Sequence, residues 1–145
     1  MDKIEPKTSE IQFLVIVRQI RLIGIAIIIT LSMIFFMGLA VSGSYVSPAL
    51  STYNLVTLIL CPLLCIGSYS LKKSMLKKVT LTNFTKYYFN AIVLPYALCD
   101  LGGILCITTS LFVNQNIPYA LIGYVISMFY MFMNFPKIED YKRFT

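Results

Sequence analysis

Histidine is missing from all 145 residues, which excludes imidazole-ligated haem, the common zinc sites and most general-base chemistry. Charge is nearly as scarce. Only 12% of the chain is charged against 58% apolar, where a soluble domain holds about 25% and about 45–50%. No Asp, Glu, Lys or Arg occurs from Leu22 to Leu71, and a single one, Asp100, from Tyr87 to Pro136. Two uncharged stretches of that length leave more apolar surface than water tolerates, so a bilayer is the expected solvent. The patterns for nucleotide loops, dinucleotide turns, zincins and nucleophile elbows are absent as well.

The twelve basic residues fall in three places. Lys3, Lys7, Arg18 and Arg21 precede the first apolar run, Lys72, Lys73, Lys77, Lys78 and Lys86 separate the second from the third, and Lys137, Lys142 and Arg143 follow the last. Clusters that flank apolar spans are held on the cytoplasmic side. The net charge of +6 is therefore read as topology. Nucleic acid is not an expected partner, because no basic stripe interleaves with exposed aromatics.

The sequence predicts an all-α membrane protein, one domain over 1–145, with four transmembrane helices arranged as two hairpins and both termini in the cytosol. The helices are expected over about 13–41, 53–71, 87–113 and 118–135, each near the ~20 residues a crossing needs. Between the middle pair lies a basic inner loop, 72–86. Gly43 and Pro48 mark one outer turn, Asn114-Gln115-Asn116 the other, and Pro118 suits the first turn of the last helix. Pro62 should kink the second helix. Ala40-Val41-Ser42 looks like a small-residue cleavage site, but the apolar run before it exceeds the ~7–15 residues of a signal segment. Asn83-Phe84-Thr85 matches a glycosylation acceptor that this topology keeps in the cytosol.

Asp100 is the residue most open to a functional reading. It stands near the middle of the third helix, where a carboxylate costs about 2.5–3.5 kcal/mol to insert. Desolvation with no cation at that depth favours the neutral acid, both donor and acceptor. It can serve as a clip to a neighbouring helix or as a proton carrier. Thr30 and Ser32 of the first helix and Ser127 of the fourth fall at matching depth and are its expected polar partners. Ala97, Gly102 and Gly103 are small enough to let another helix approach closely. The two glycines also admit a sharper reading, a break in the helix that bares carbonyls to an ion.

Cys61 and Cys65 share one helix face, as do Cys99 and Cys106. Four thiolates between helices could take a metal, but buried thiols ordinarily act as small apolar side chains, and no metal or other cofactor is expected. Tyr45, Tyr53, Tyr69, Tyr87, Tyr88 and Tyr119 lie near span ends, as an interfacial belt would place them. Met128, Met131 and Met133 among Phe129, Tyr130 and Phe132 read as lipid-facing or packing surface.

Tyr96-Ala-Leu-Cys-Asp-Leu-Gly-Gly103 and Asn134-Phe135-Pro136 resemble parts of small bacterial inner-membrane proteins of four helices. Those carry an Ala-Leu-Ala-Glu-like stretch in the third helix and a His-Phe-Pro-like stop after the fourth. Here the acid is Asp100 and the residue before it is Cys99. The same stretch is loosely similar to the carboxylate helix of rotary-ATPase proteolipids, which would imply proton or sodium transfer at Asp100. Proteolipids have a glycine-rich first helix and their carboxylate on the last one. This chain has only Gly24 and Gly38 in the first and no acid in the last.

These observations lead to a small polytopic protein of a bacterial cytoplasmic membrane. The expected role is a non-catalytic accessory or structural subunit, packed on other membrane subunits or on itself. A proton- or ion-translocating subunit built on Asp100 is the alternative. Catalysis on lipid would need a nucleophile–base pair, and none is visible.

Overall fold

A computed structural model describes residues 6–41, 51–80, 83–137 and 140. The chain folds into four helices, α1 (Pro6–Val41), α2 (Ser51–Leu76), α3 (Phe84–Ile107) and α4 (Ile117–Met133), and no strand occurs among the described residues. The first three are long and apolar enough to cross a membrane. α4 has 17 residues, which falls short of the ~20 of a full crossing. Pro118 near its start and Asn134 at its C-cap set those limits.

The helices differ from the sequence expectation mainly at the ends near the basic residues. α1 starts at Pro6 and has 36 residues, or roughly 54 Å at 1.5 Å per residue. Its early turns pack against the bundle: Phe13 is buried, with its ring 5.0 Å from that of Tyr88. α2 continues past Lys72 and Lys73 to Leu76, because long basic side chains need not end a helix that can carry their charge outward. Pro62 and Pro95 both lie inside helices, α2 and α3 respectively.

α3 runs unbroken through Gly102 and Gly103, so the glycines do not open the helix. The irregularity comes later, where Thr108–Val113 forms a π-helical stretch. Thr108 and Thr109 each donate a side-chain bond at 2.7 Å to the carbonyl four residues back, Ile104 and Leu105. Such back-bonding loosens the ordinary ladder. The turn to α4 is as tight as expected, and Gln115 takes a φ of 52° there, a backbone setting that side chains rarely adopt.

α3 is the centre of the bundle and packs on all three other helices. α1 and α2 lie apart, joined through the α3–α4 pair with at most a marginal contact of their own. The first pair is therefore not a closed hairpin, unlike α3 and α4. Physically, α1 has the apolar seam of Phe13, Val17, Ile20, Leu31 and Phe35, which fits the apolar residues of α3. α2 has a different seam altogether.

Candidate functional site

Every buried residue described on α2 is polar or a cysteine: Asn54, Thr57, Cys61, Cys65, Ser68 and Lys72. Three- and four-residue steps keep them on one face. Around them, Leu55, Ile59, Leu63 and Ile66 are exposed. The helix is thus more polar inside than outside, which suits a lipid surround and would be inverted in water.

Most of this seam meets polar groups on α3, the π stretch, α4 or the residues that cap them. Asn114 donates its amide to Asn54 at 2.9 Å, and Thr57 pairs with Thr109 at 2.8 Å. The Cys61 thiol contacts the Gly123 carbonyl, and Cys65 is buried one turn further along the same face. Ser68 donates to the Cys65 carbonyl at 2.6 Å. Its single proton being committed there, the Cys99 thiol is the donor of the 3.0 Å Cys99–Ser68 bond. Asn134 also donates to Ser68, at 3.0 Å. At the end of the row, Lys72 Nζ donates to the Asn134 carbonyl at 2.9 Å. Cys61, Cys65 and Cys99 are free thiols, and no metal-holding group of three or more His, Cys, Asp or Glu occurs among the described residues.

Asp100 stands outside this network. Its side chain is half-buried, and Oδ1 is fully buried without a hydrogen-bond partner among the described residues. Thr30, Ser32 and Ser127 are all engaged elsewhere. Thr30 is exposed and donates to the Ala26 carbonyl on its own helix. Ser32 donates to the Ile28 carbonyl and accepts from the Tyr124 hydroxyl at 2.9 Å. Ser127 donates to the carbonyl of Cys99, one residue short of Asp100.

One residue is about 100° around a helix, and that step turns the Asp100 side chain away from α4. Tyr96, one turn earlier, faces Gly24 of α1, and Gly103 faces Leu31 of α1 together with Ser127. Asp100 therefore lies on the α1 flank of α3, beside the exposed strip Leu94, Ala97 and Leu101. Gly102 is buried against the Cys61 backbone, and Gly103 against Ser127 and Leu31. Ala97 points out of the bundle, so the three small residues do not form one face: steps of five and six residues carry the glycines to the other side of the helix from Ala97.

A second polar group forms at the basic end. Tyr88 is fully buried, not interfacial, and donates to Asp140 at 3.1 Å. Arg21 donates to the Pro136 carbonyl at 3.3 Å. Tyr53, Tyr69 and Tyr87 are exposed at span ends as expected, whereas Tyr45 lies outside the described residues. On α4, Met131 is buried while Phe129, Phe132 and Met133 are exposed.

Compared with protein-family models, curated proteins and solved structures, the chain has no match in any of the three.

Proposed function

We propose that this chain is a non-catalytic subunit of a bacterial cytoplasmic membrane that docks other transmembrane helices through the α3 face around Asp100. The partner is another membrane subunit or a second copy of the chain. In this reading all four helices cross the bilayer, α4 with the help of its flanking turns, and both termini are cytosolic.

The observation that carries the reading is the buried Asp100 Oδ1 without a partner. At membrane depth an unsatisfied carboxyl oxygen is costly, and the serine and threonine hydroxyls at that depth are committed elsewhere. The side chain as a whole is only half-buried, so a turn of the carboxyl group brings an oxygen to the surface, where a donor from another helix would relieve that cost. The neighbouring strip Leu94, Ala97 and Leu101 is exposed, with a small residue at its middle, which suits the close approach of another helix.

Copurification under mild detergent tests the docking role. Wild type and Asp100→Asn should retain a stoichiometric membrane partner or self-associate, since asparagine keeps both donor and acceptor. Asp100→Leu should release the partner. A wild-type chain that is monomeric and alone under those conditions would sink the proposal. The same orphan oxygen also supports a second reading, proton or ion translocation at Asp100. There Asp100→Asn would assemble normally but lose ion flux in proteoliposomes, because an amide cannot release a proton.

A further inference from the structure

We infer that the cleft between the basic ends of α2 and α4 binds the phosphate headgroup of an anionic phospholipid, with an acyl chain laid along its apolar wall. The inference rests on the membrane reading above but concerns a different part of the molecule from Asp100.

The cleft has a volume of about 420 Å³, and its polar side is formed by Lys72, Lys73, Lys137 and Asp140. Among the described residues that line it, three lysines stand against one carboxylate. That carboxylate already accepts from the Tyr88 hydroxyl and the Lys137 backbone N–H. Lys72 is held in place by the Asn134 carbonyl, so one cation is fixed at the cleft floor by the fold itself. Lys73 and Lys137 are exposed at its rim, free to close on an anion from two helix ends. The excess of positive charge selects an anionic ligand, and a phosphate can accept from several ammonium groups at once.

The other wall identifies the source of the phosphate. Tyr69, Phe132 and Met133 line the cleft and are 45%, 59% and 46% exposed. Tyr69 is one turn before Lys72 and Lys73 on α2, and Phe132 and Met133 end α4. This wall continues into Ile66 and Phe129, exposed on the same helices. A soluble phosphate has no use for such a wall. A phospholipid matches both halves, as basic pockets between membrane helices do for anionic headgroups.

The test uses the whole chain in nanodiscs of phosphatidylcholine containing a minor share of phosphatidylglycerol. Lipids retained after mild detergent extraction are identified by mass spectrometry. Phosphatidylglycerol should be enriched over its bulk share. Lys73→Gln and Lys137→Gln should each lower that enrichment by about fivefold, the weight of one lysine near an anionic lipid. Both side chains are exposed, so helicity and insertion should be unchanged. An excess of inorganic phosphate should leave the lipid bound. Unchanged enrichment in the double variant, no enrichment in wild type, or displacement by phosphate would each overturn the assignment. Failure of the wild-type chain to enter nanodiscs would overturn the membrane reading along with it, whereas insertion without enrichment defeats the lipid site alone.

Discussion

Lys72 and Asn134 clasp the ends of α2 and α4. The lysine ammonium donates to the asparagine carbonyl at 2.9 Å, and the asparagine amide donates at 3.0 Å to Ser68, one turn before the lysine. Asn134 is the C-cap of α4, where backbone carbonyls lack partners within the helix. A cation at that end also meets the negative pole of the helix dipole. The clasp therefore caps one helix with a side chain from another.

Replacing Lys72 by Met should loosen that end. The lysine is 9% exposed, so methionine fits its stem but leaves the Asn134 carbonyl without its donor. A charge-assisted bond of this kind contributes about 1.5–3 kcal/mol, and a loss of about 1–3 kcal/mol is expected. Lys77→Met, at an exposed position, should change stability by less than about 0.5 kcal/mol. Thermal unfolding of both variants in detergent checks the contrast, and equal melting points would contradict it.

Two glycines should respond in opposite ways to the same substitution. A methyl at Gly103 would come within 2.7 Å of Ser127 Oγ and 3.1 Å of Leu31. Ser127 would have to leave the Cys99 carbonyl it serves, so Gly103→Ala should cost about 1–3 kcal/mol through overpacking. At Gly67 nothing lies within 4 Å of the added methyl. There alanine gains up to about 1 kcal/mol of helix propensity, and Gly67→Ala should be neutral or stabilising. Parallel unfolding curves give the answer, and a destabilising Gly67→Ala would show a helix contact outside this chain.

The topology has its own test. All twelve basic residues lie before the first apolar run, between the second and third, or after the fourth, so both termini and the loop after α2 should face the cytosol. Cysteines introduced at Ser44 and Asn116 should react with an impermeant reagent on intact cells, and one at Lys77 should not. Labelling at Lys77 on sealed cells would invert the arrangement.

The helices were legible in the sequence because charge placement is a coarse signal that needs no partner. Leu22 and Leu71 bound a run without a single charge, and the helices within it are long and apolar enough to cross a membrane. Their exact ends are less legible, since Lys72 and Lys73 end the apolar run but not the helix, which continues to Leu76. The packing order was not legible at all: nothing local reveals that α1 rests on α3 and not on α2. The polar seam was present as a spacing, with Asn54, Thr57, Cys61, Cys65, Ser68 and Lys72 separated by steps of three and four residues. That spacing alone does not mark a buried face, because hydroxyls, amides and thiols cost far less at membrane depth than a lone aspartate and so constrain a helix less visibly. Ser127 shows the limit of counting depth: it does reach α3 at the expected level, but it meets the Cys99 carbonyl. Depth along a helix follows from position, whereas direction around it depends on which neighbours pack there.

Asp100 gives the sharpest remaining contrast, between stability of the isolated chain and assembly. Were it an internal clip to Thr30, Ser32 or Ser127, removing it would weaken the bundle. None of the three bonds to it, and its buried Oδ1 has no partner among the described residues. Removing an unsatisfied buried oxygen relieves a desolvation cost of about 1–3 kcal/mol, and leucine has a similar volume and high helix propensity. Asp100→Leu should therefore unfold at the same temperature as wild type, or a higher one, when both are purified as single chains in detergent. The same variant should fail to hold a partner in the copurification described above. A bundle that melts earlier with leucine would mean that Asp100 has a donor inside the chain after all, and the docking role would lose its physical basis.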